Sequence, residues 1–168
     1  ELIGNFDIPY YGISSGKLRR YFDVKNFTDP FRILKGYSEA KKLIKKIKPD
    51  VIFSKGGFVT VPVVKAASRQ KVPCVLHESD ISPGLANRLC IPSATAICAN
   101  FPETIANLPE DKAYLTGTPI RSELFSGNRL KGLDFCGFTA NKPVILVIGG
   151  SLGSVRVNEA VREILSKL

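Results

Sequence analysis

Several residue types that carry specialised chemistry are scarce in this chain of 168 residues. It contains no methionine and no tryptophan, one histidine (His77), and four cysteines without a CxxC pair. This spacing does not match a zinc site, and the thiols are too sparse for a secreted disulfide framework. The cysteines are therefore interpreted as reduced thiols of a cytoplasmic protein, and no metal ion or cofactor is predicted. Because even an initiator methionine is missing, we expect the sequence to be a piece of a longer protein.

Long apolar segments and a strongly biased composition are also absent. No hydrophobic run approaches the roughly 20 residues that a membrane-spanning helix requires. The chain has 44% hydrophobic and 23% charged residues, which is typical of a globular protein and excludes a disordered tail or a collagen-like fibre. The sequence therefore predicts a folded protein that does not cross a membrane.

Acidic residues are too few to balance the basic ones. The 24 lysines and arginines against 15 aspartates and glutamates give a net charge of +9, and residues 17–48 contribute eleven basic and three acidic side chains. Most of the excess charge therefore lies in less than a fifth of the chain. A concentrated positive field attracts polyanions, so the composition indicates nucleic acid, anionic lipid headgroups or a phosphorylated substrate.

Short β-branched runs alternate with helical patterns along the chain. Strands are predicted at residues 50–53, 73–77, 94–98, 112–115 and 143–148, and helices follow the first, second and last of them. Continuous apolar strands separated by helices predict a parallel sheet that is covered on both faces. The predicted fold class is therefore α/β, with a doubly wound, Rossmann-like parallel sheet.

Residues 121–142 interrupt this alternation. Gly132 and Gly137 are expected to break any regular pattern there, so the segment is interpreted as a connection between two domains. The predicted organisation is a partial first domain over residues 1–120, this connection, and the start of a second domain over residues 143–168. One strand and one helix are too little to bury a core. We therefore expect the chain to be cut at both ends of a larger two-domain protein.

Two glycine-rich turns follow predicted strands, one at Gly56 and Gly57 and one at residues 149–153. Such strand-to-helix turns direct backbone N–H groups and the positive end of a helix toward an anion. Neither turn is a complete GxGxxG fingerprint or a phosphate-binding loop. Because glycine also serves any tight turn, an anion site and a simple turn both remain open.

His77 and Glu78 are predicted at the same edge of the sheet, and Arg121 is a further candidate site residue. His77 and Glu78 end the second strand, where they form either a proton-transfer pair or a structural pair that satisfies backbone groups. Arg121 closes a Gly-Thr-Pro-Ile-Arg turn. Its guanidinium either suits a phosphate group or simply faces solvent.

The basic region also contains an amphipathic helix. The side predicted to face the core recurs at steps of three and four residues and consists of Ile33, Tyr37, Ala40, Ile44 and Ile47. A second apolar side, beside Lys41, Lys42 and Lys45, consists of Phe27, Phe31 and Leu34. An exposed apolar strip bordered by lysines is typical of a helix that lies on a membrane surface. Packing of these side chains under a neighbouring loop is the alternative.

Five motifs occur in order and span nearly the whole chain: KPDVIFSKGGFV at 48–59, VLHE at 75–78, GLAN at 84–87, GTPIR at 117–121 and GGSLG at 149–153. In this combination the chain resembles the MurG family of peptidoglycan glycosyltransferases. These enzymes move N-acetylglucosamine from UDP-N-acetylglucosamine onto undecaprenyl-pyrophosphoryl-muramoyl pentapeptide, converting lipid I to lipid II. The resemblance implies two doubly wound domains with a cleft between them (the GT-B architecture) and an inverting, metal-independent hexosyl transfer. It also implies a peripheral protein on the cytoplasmic face of the bacterial cell membrane.

The resemblance implies roles for residues on the donor side. Arg121 and Ser151 match the family's positions for binding UDP-N-acetylglucosamine. Asp80 stands where many relatives have a donor-contacting asparagine, so a carboxylate replaces an amide at this third position.

The resemblance also implies roles on the acceptor side. The positions matched to the acceptor pyrophosphate are Gly56, Gly57, His77 and Glu78. Those matched to the hydrophobic membrane-docking patch are Phe27, Phe31, Leu34, Tyr37 and Lys41. The implied partners are therefore the UDP-sugar, the lipid-linked pentapeptide and an anionic membrane surface, and not nucleic acid.

The family's first glycine-rich loop, which carries its candidate base histidine, has no counterpart in this sequence. Most of the uridine-binding domain has none either. No catalytic residue is therefore predicted within the chain, and we expect the chain alone to be inactive.

Three other functions stay open on the sequence. A related lipid glycosyltransferase would use diacylglycerol as its acceptor. A nicotinamide-binding domain would use Glu78 to hold the ribose. A basic module without enzymatic activity would bind a membrane surface or nucleic acid.

Overall fold

A computed structural model of the chain describes residues 7–16, 29–150 and 153–167. The chain divides into two compact units, residues 1–120 and residues 121–168. Phe27 and Ser151, two of the predicted site residues, lie outside the described residues. The roles predicted for the domains stay predictions.

The first unit alternates helices and strands in the order that the hydrophobic pattern predicts. Its helices are α1 (Asp29–Ile47), α2 (Thr60–Arg69), α3 (Leu85–Cys90) and α4 (Pro102–Ile105), with a short 3₁₀ helix at Ile91–Ser93. Its strands are β1 (Ile52–Ser54), β2 (Cys74–Glu78), β3 (Ala96–Ala99) and β4 (Ala113–Leu115). The four strands predicted for this part of the chain are therefore confirmed.

The four strands form one parallel sheet in the order β1-β2-β3-β4. Ser54 pairs with Leu76 on β2, and Ala99 pairs with Glu78 on one side and Leu115 on the other. Each parallel pair needs a crossover connection, which α2, α3 and α4 supply in turn. The predicted α/β class with a parallel, Rossmann-like sheet is confirmed, and the carboxyl ends of all four strands meet at one edge.

The buried core joins α1 and α2 to the middle strands of the sheet. Val64 on α2 and Leu76 on β2 are among its largest fully buried side chains. Cys74 and Cys90 also belong to this core, and burial raises the pKa of both thiols. A buried thiol with a raised pKa is a poor nucleophile, so these two cysteines contribute to packing rather than to chemistry.

Helix α1 has a buried side and an exposed side, as its pattern predicts. Ala40 and Ile44 are buried, whereas Phe31 and Leu34 are 74% and 66% exposed. Ile47, which was assigned to the buried side, is about half exposed. The reason is its position as the last residue of α1, where the chain leaves the helix through Lys48 at φ 52°.

Residues 7–16 lie against α1. The backbone N–H of Ser14 donates a 2.6 Å hydrogen bond to the carboxylate of Glu39, and the Ser14 hydroxyl donates a second at 3.2 Å. A Cβ on Gly36 would overlap the carbonyl group of Ser14. This helix position therefore has to be glycine for the segment to approach so closely.

The second unit differs from the predicted pattern in two ways. Its helices are α5 (Arg129–Cys136) and α6 (Val155–Ile164), with 3₁₀ helices at Ser122–Ser126 and Leu165–Lys167. Helix α5 crosses the segment that was expected to be irregular and contains Gly132. Asn128 caps its N-terminus by accepting a hydrogen bond from the N–H of Lys131, and Gly137 ends it at φ 66°. Both are recognised capping signals, so this part of the prediction is wrong.

The strand predicted at residues 143–148 does not form. Leu146 and Ile148 are about 80% exposed, and no described strand pairs with the segment. A strand is stable only when neighbouring strands accept and donate its backbone hydrogen bonds. Strong β-propensity alone therefore does not make these residues a strand in this unit.

Among the described residues, no helix is long and apolar enough to cross a membrane.

Candidate functional site at the carboxyl edge of the sheet

The carboxyl ends of the four strands bring together side chains that are far apart in the sequence. Ser54 ends β1, Glu78 ends β2, and Asn100 follows β3. Gly117 follows β4, and its backbone N–H donates to the carbonyl of Ala99 at 3.1 Å. In parallel sheets this edge is where ligands bind, so the groups gathered here form the candidate site.

The turn after β1 depends on two glycines. Gly56 and Gly57 have φ angles of +89° and +85°, which other residues rarely adopt. The N–H of Gly56 lies 3.3 Å from the Ser54 hydroxyl, and the carbonyl of Gly57 accepts hydrogen bonds from the hydroxyl and N–H of Thr60 at the start of α2. The N–H of Gly57 has no partner among the described residues. The turn therefore places the N–H of Gly57 next to the positive end of a helix.

Glu78 is 4% exposed and fastens the end of β2 to α3. Its Oε1 accepts the N–H groups of Ser79 and Asp80 at 2.9 and 3.0 Å. Its Oε2 accepts the N–H of Gly84 at 3.1 Å and the amide Nδ2 of Asn87 at 2.8 Å. With four donors, this carboxylate stabilises the turn and the first residues of α3.

The net effect of this environment is to lower the pKa of Glu78. Burial alone raises the pKa because it disfavours the charged form. The N–H of Asp80, the amide of Asn87 and the N–H groups of Gly84 and Ser79 favour the charged form and outweigh burial. Glu78 is therefore a carboxylate at neutral pH, and its oxygens are not free to hold a ribose as a nicotinamide-binding domain would require.

Asn87 connects Glu78 to the glycine turn. Its amide Nδ2 donates to Glu78 and, at 3.3 Å, to the carbonyl of His77. Its Oδ1 is buried and has no hydrogen-bond partner among the described residues. A Cβ on Gly56 would lie 3.3 Å from that oxygen, so the absence of a side chain at Gly56 is what leaves room for Asn87.

His77 is 2% exposed, and both of its ring nitrogens have partners. Nε2 lies 3.1 Å from the carbonyl oxygen of Gly117, and Nδ1 lies 2.8 Å from Nζ of Lys55. The ring also packs against Phe53, with centroids 6.3 Å apart. Because a carbonyl only accepts and an ammonium only donates, we infer the tautomer that carries its hydrogen on Nε2.

The hydrogen bonds of His77 and Glu78 distinguish a proton-transfer pair from a structural pair. The carboxylate of Glu78 takes its hydrogen bonds from backbone and amide groups, and the described contacts of the His77 ring do not include it. The geometry therefore favours a structural pair over a proton-transfer pair. Binding of an acceptor pyrophosphate near His77, Glu78, Gly56 and Gly57 stays a prediction.

Sequence reasoning missed Lys55, Ser79 and Asn87 as members of the site. Lys55 donates to Ser79 Oγ at 2.9 Å in addition to its contact with His77. A lysine directly before a pair of glycines was the one sequence signal that indicated it. Asn87 ends the GLAN motif, but that motif gave it no role, because its contacts are with β2 and the glycine turn.

The remaining predicted residues lie elsewhere. Asp80 lines a cavity of about 810 Å³ together with Ser82, Arg88 and Asn107. Tyr37 is half-buried and Lys41 exposed, both on α1. Arg121 is exposed at the start of the second unit, directly before a 3₁₀ helix. The donor-binding and membrane-docking roles of these residues stay predictions.

Comparison with known proteins identifies the family. Residues 1–99 match the glycosyltransferase family 28 N-terminal domain. Relatives from Lachnoclostridium phytofermentans and Lachnospira eligens are 69% and 62% identical over 168 and 167 residues, covering 100% and 99% of this chain and 47% of each relative. Both are named UDP-N-acetylglucosamine–N-acetylmuramyl-(pentapeptide) pyrophosphoryl-undecaprenol N-acetylglucosamine transferase. The chain thus spans about half the length of these curated relatives.

A solved structure agrees with these relatives. The crystal structure of MurG from Acinetobacter baumannii is similar, with a TM-score of 0.67 and 29% identity, over 99% of this chain and 42% of that one. The resemblance indicated by the five sequence motifs is confirmed.

Substitution of the two turn glycines is expected to destabilise the full-length protein by different amounts. Gly57→Ala places a side chain at positive φ in open space and should cost about 1–3 kcal/mol of the free energy of unfolding. Gly56→Ala should cost more, since its Cβ would also crowd Asn87. Urea unfolding measures both. Gly84→Ala is the control, because Gly84 has φ −63° and open space around it. Equal losses in all three variants would contradict this account.

Removal of the Glu78 charge is expected to destabilise the protein in a pH-dependent way. Because its folded pKa is lowered, Glu78 contributes stability above its unfolded pKa, and that stability is lost as the pH falls through the folded pKa. Glu78→Gln should therefore lower the free energy of unfolding by about 1–3 kcal/mol at pH 7. The difference from the parent should shrink at acidic pH, as the pH falls through the folded pKa of Glu78. An exposed-site control, Glu110→Gln, should change little at either pH.

Proposed function

This chain belongs to glycosyltransferase family 28, and we propose that the protein it forms part of transfers N-acetylglucosamine from UDP-N-acetylglucosamine to undecaprenyl-pyrophosphoryl-N-acetylmuramoyl pentapeptide. The product is the lipid-linked disaccharide used in peptidoglycan synthesis. The observation that carries this proposal is the 69% identity over the whole chain to a relative with that named activity. The relatives' names do not favour a diacylglycerol acceptor.

The carboxyl edge of the first unit supports a role in binding the acceptor diphosphate. The turn at Gly56 and Gly57 offers backbone N–H groups beside the start of α2, and Lys55 adds a positive charge. These are the groups that bind phosphate oxygens in proteins. His77 and Glu78 belong to the proposal as residues that shape this edge, since their own polar atoms already have protein partners.

The proposed reaction is an inverting displacement without a metal ion. The acceptor 4-hydroxyl oxygen attacks the anomeric carbon of the donor sugar, the bond to the UDP oxygen breaks, and a general base takes the hydroxyl proton. We place that base outside this chain. The contacts of Glu78 support this, because four donors already occupy its carboxylate oxygens. Arg121, Ser151 and Asp80 are proposed for the donor.

The exposed side of α1 supports docking on an anionic membrane at the cytoplasmic face. Phe31 and Leu34 present apolar surface to solvent, and Lys41, Lys42 and Lys45 are exposed on the same helix. Burial of an apolar side chain at the headgroup boundary and attraction of lysine to anionic lipid act together in such helices. Phe27 and Tyr37 belong to the proposed patch as well.

The full-length protein is expected to move labelled N-acetylglucosamine from UDP-N-acetylglucosamine to a short-chain lipid-linked muramoyl pentapeptide. Arg121→Ala should raise the KM for the UDP-sugar by roughly tenfold or more, since one charge-assisted hydrogen bond to phosphate is lost. Label in the lipid product is the measurement, and Arg129→Ala is the control. Absence of transfer by the unsubstituted protein would refute the proposed function. An unchanged donor KM in Arg121→Ala would refute only that residue's role.

Loss of the exposed apolar pair on α1 is expected to weaken membrane binding. Phe31→Ser with Leu34→Ser should lower partitioning onto phosphatidylglycerol-containing vesicles by at least roughly tenfold, because each side chain contributes about 1.5–3 kcal/mol when buried. Vesicle sedimentation of the full-length protein measures it. The matched control is Leu89→Ser with Phe101→Ser, two partly exposed side chains on other elements of the same unit. Equal binding by both variants would exclude the α1 strip as the docking surface.

A further inference from the structure

Two neutral groups hold the ammonium of Lys55 at the carboxyl edge. Its Nζ donates to Nδ1 of His77 at 2.8 Å and to the hydroxyl of Ser79 at 2.9 Å. Within the described ranges no carboxylate lies within 4 Å of this ammonium, and the nearby carboxylate of Glu78 is saturated by four other donors. Among the described residues, the positive charge of Lys55 is therefore positioned by hydrogen bonds without a carboxylate partner.

The position of Lys55 in the chain connects this charge to the glycine turn. Lys55 directly precedes Gly56 and Gly57, whose positive φ angles shape the turn into α2. The N–H of Gly57 has no partner in the part of the chain that the structure describes. An anion on this turn would therefore meet a free backbone donor and an ammonium from adjacent residues.

His77 can hold Lys55 only in one tautomer. The carbonyl of Gly117 accepts from Nε2–H, which leaves the Nδ1 lone pair directed at the ammonium. Packing against Phe53 also restrains the ring. The imidazole thus acts as a neutral, oriented acceptor that keeps the lysine side chain near the turn.

We propose that Lys55 is the cation that binds the acceptor diphosphate on the Gly56–Gly57 turn, and that His77 and Ser79 hold its ammonium in position until the acceptor arrives. This inference rests on the proposed function and names a residue of that same site. Transfer of the ammonium from these neutral acceptors to phosphate oxygens is favourable. A hydrogen bond between an ammonium and a phosphate joins two charged groups, and it is stronger than a hydrogen bond from the ammonium to a neutral acceptor. Because His77 and Ser79 carry no negative charge, no anion loses its partner when the ammonium moves to the phosphate. In this scheme Lys55 contacts substrate, and His77 is a positioning residue.

The first experiment compares Lys55→Gln, Lys55→Arg and Arg69→Gln in the full-length protein. Arg69 is exposed in the last turn of α2, away from the glycine turn, so Arg69→Gln removes the same charge elsewhere in the unit. The KM for a short-chain prenyl-diphospho-muramoyl pentapeptide should rise roughly ten- to hundredfold in Lys55→Gln. It should rise less in Lys55→Arg than in Lys55→Gln, since the positive charge remains although a guanidinium differs in shape from an ammonium. The KM for UDP-N-acetylglucosamine should be unchanged in all three.

Two results would overturn the assignment of Lys55. One is an equal acceptor KM in Lys55→Gln and Arg69→Gln, and the other is an equal loss in Lys55→Gln and Lys55→Arg. In either case the parent protein still transfers sugar, so the proposed function survives. If the parent itself transfers no sugar to the lipid-linked acceptor, the proposed function fails first, and the assignment of Lys55 to that acceptor fails with it.

A double-mutant cycle tests the positioning role of His77. His77→Gln should raise the acceptor KM several-fold in the parent background and should have no further effect in the Lys55→Gln background, because its contribution acts through Lys55. An effect of His77→Gln that is the same in both backgrounds would show a merely structural role and overturn this part of the proposal. The unchanged donor KM reports that each variant is folded.

Discussion

The carboxyl edge of this sheet depends on one buried carboxylate. Glu78 accepts four hydrogen bonds that join the end of β2 to the following turn, to Gly84 and to Asn87 on α3. Removing such an acceptor would leave the buried amide of Asn87 and three part-buried backbone N–H groups without this partner, which costs more than one hydrogen bond contributes. The lowered pKa of Glu78 has the same origin, since the donors favour the charged form. In the sequence, Glu78 next to His77 suggested a proton-transfer pair. In the structure, its hydrogen bonds show that Glu78 stabilises the site.

The other features of the edge depend on the hydrogen bonds of Glu78. Asn87 is oriented by Glu78, and its Oδ1 then faces Gly56, so a side chain at Gly56 is excluded. With β2 held in place, the ring of His77 lies between the carbonyl of Gly117 and the ammonium of Lys55 and contacts both. The edge therefore presents backbone N–H groups and one lysine, a set suited to holding phosphate charge, while its histidine and glutamate are used internally.

Local sequence patterns predicted some elements well and others not at all. The four strands of the first unit and the exposed Phe31 and Leu34 on α1 follow from apolar periodicity, which reports burial directly. The segment 143–148 has the strongest strand pattern, yet it forms no strand. Residues with high β-propensity form a strand only when a neighbouring strand pairs with them, and no described strand pairs with this segment. Helix α5 was missed because it lacks a clear apolar periodicity. Its signals are the capping residues Asn128 and Gly137 rather than a hydrophobic face.

The family and the α/β class follow from the amino-acid sequence alone, because both depend on motifs and periodicities that are contiguous along the chain. The glycine turn and the strand end that carry the site are also recognisable in the sequence. Which side chains are available for binding, in contrast, depends on how the chain folds. The tautomer of His77, the internal use of Glu78 and the exposed charge of Lys55 all depend on hydrogen bonds between groups brought together by the sheet. Lys55 and His77 are 22 residues apart, and His77 and Gly117 are 40 apart. No local pattern specifies such contacts, since they form only once parallel strands align their carboxyl ends.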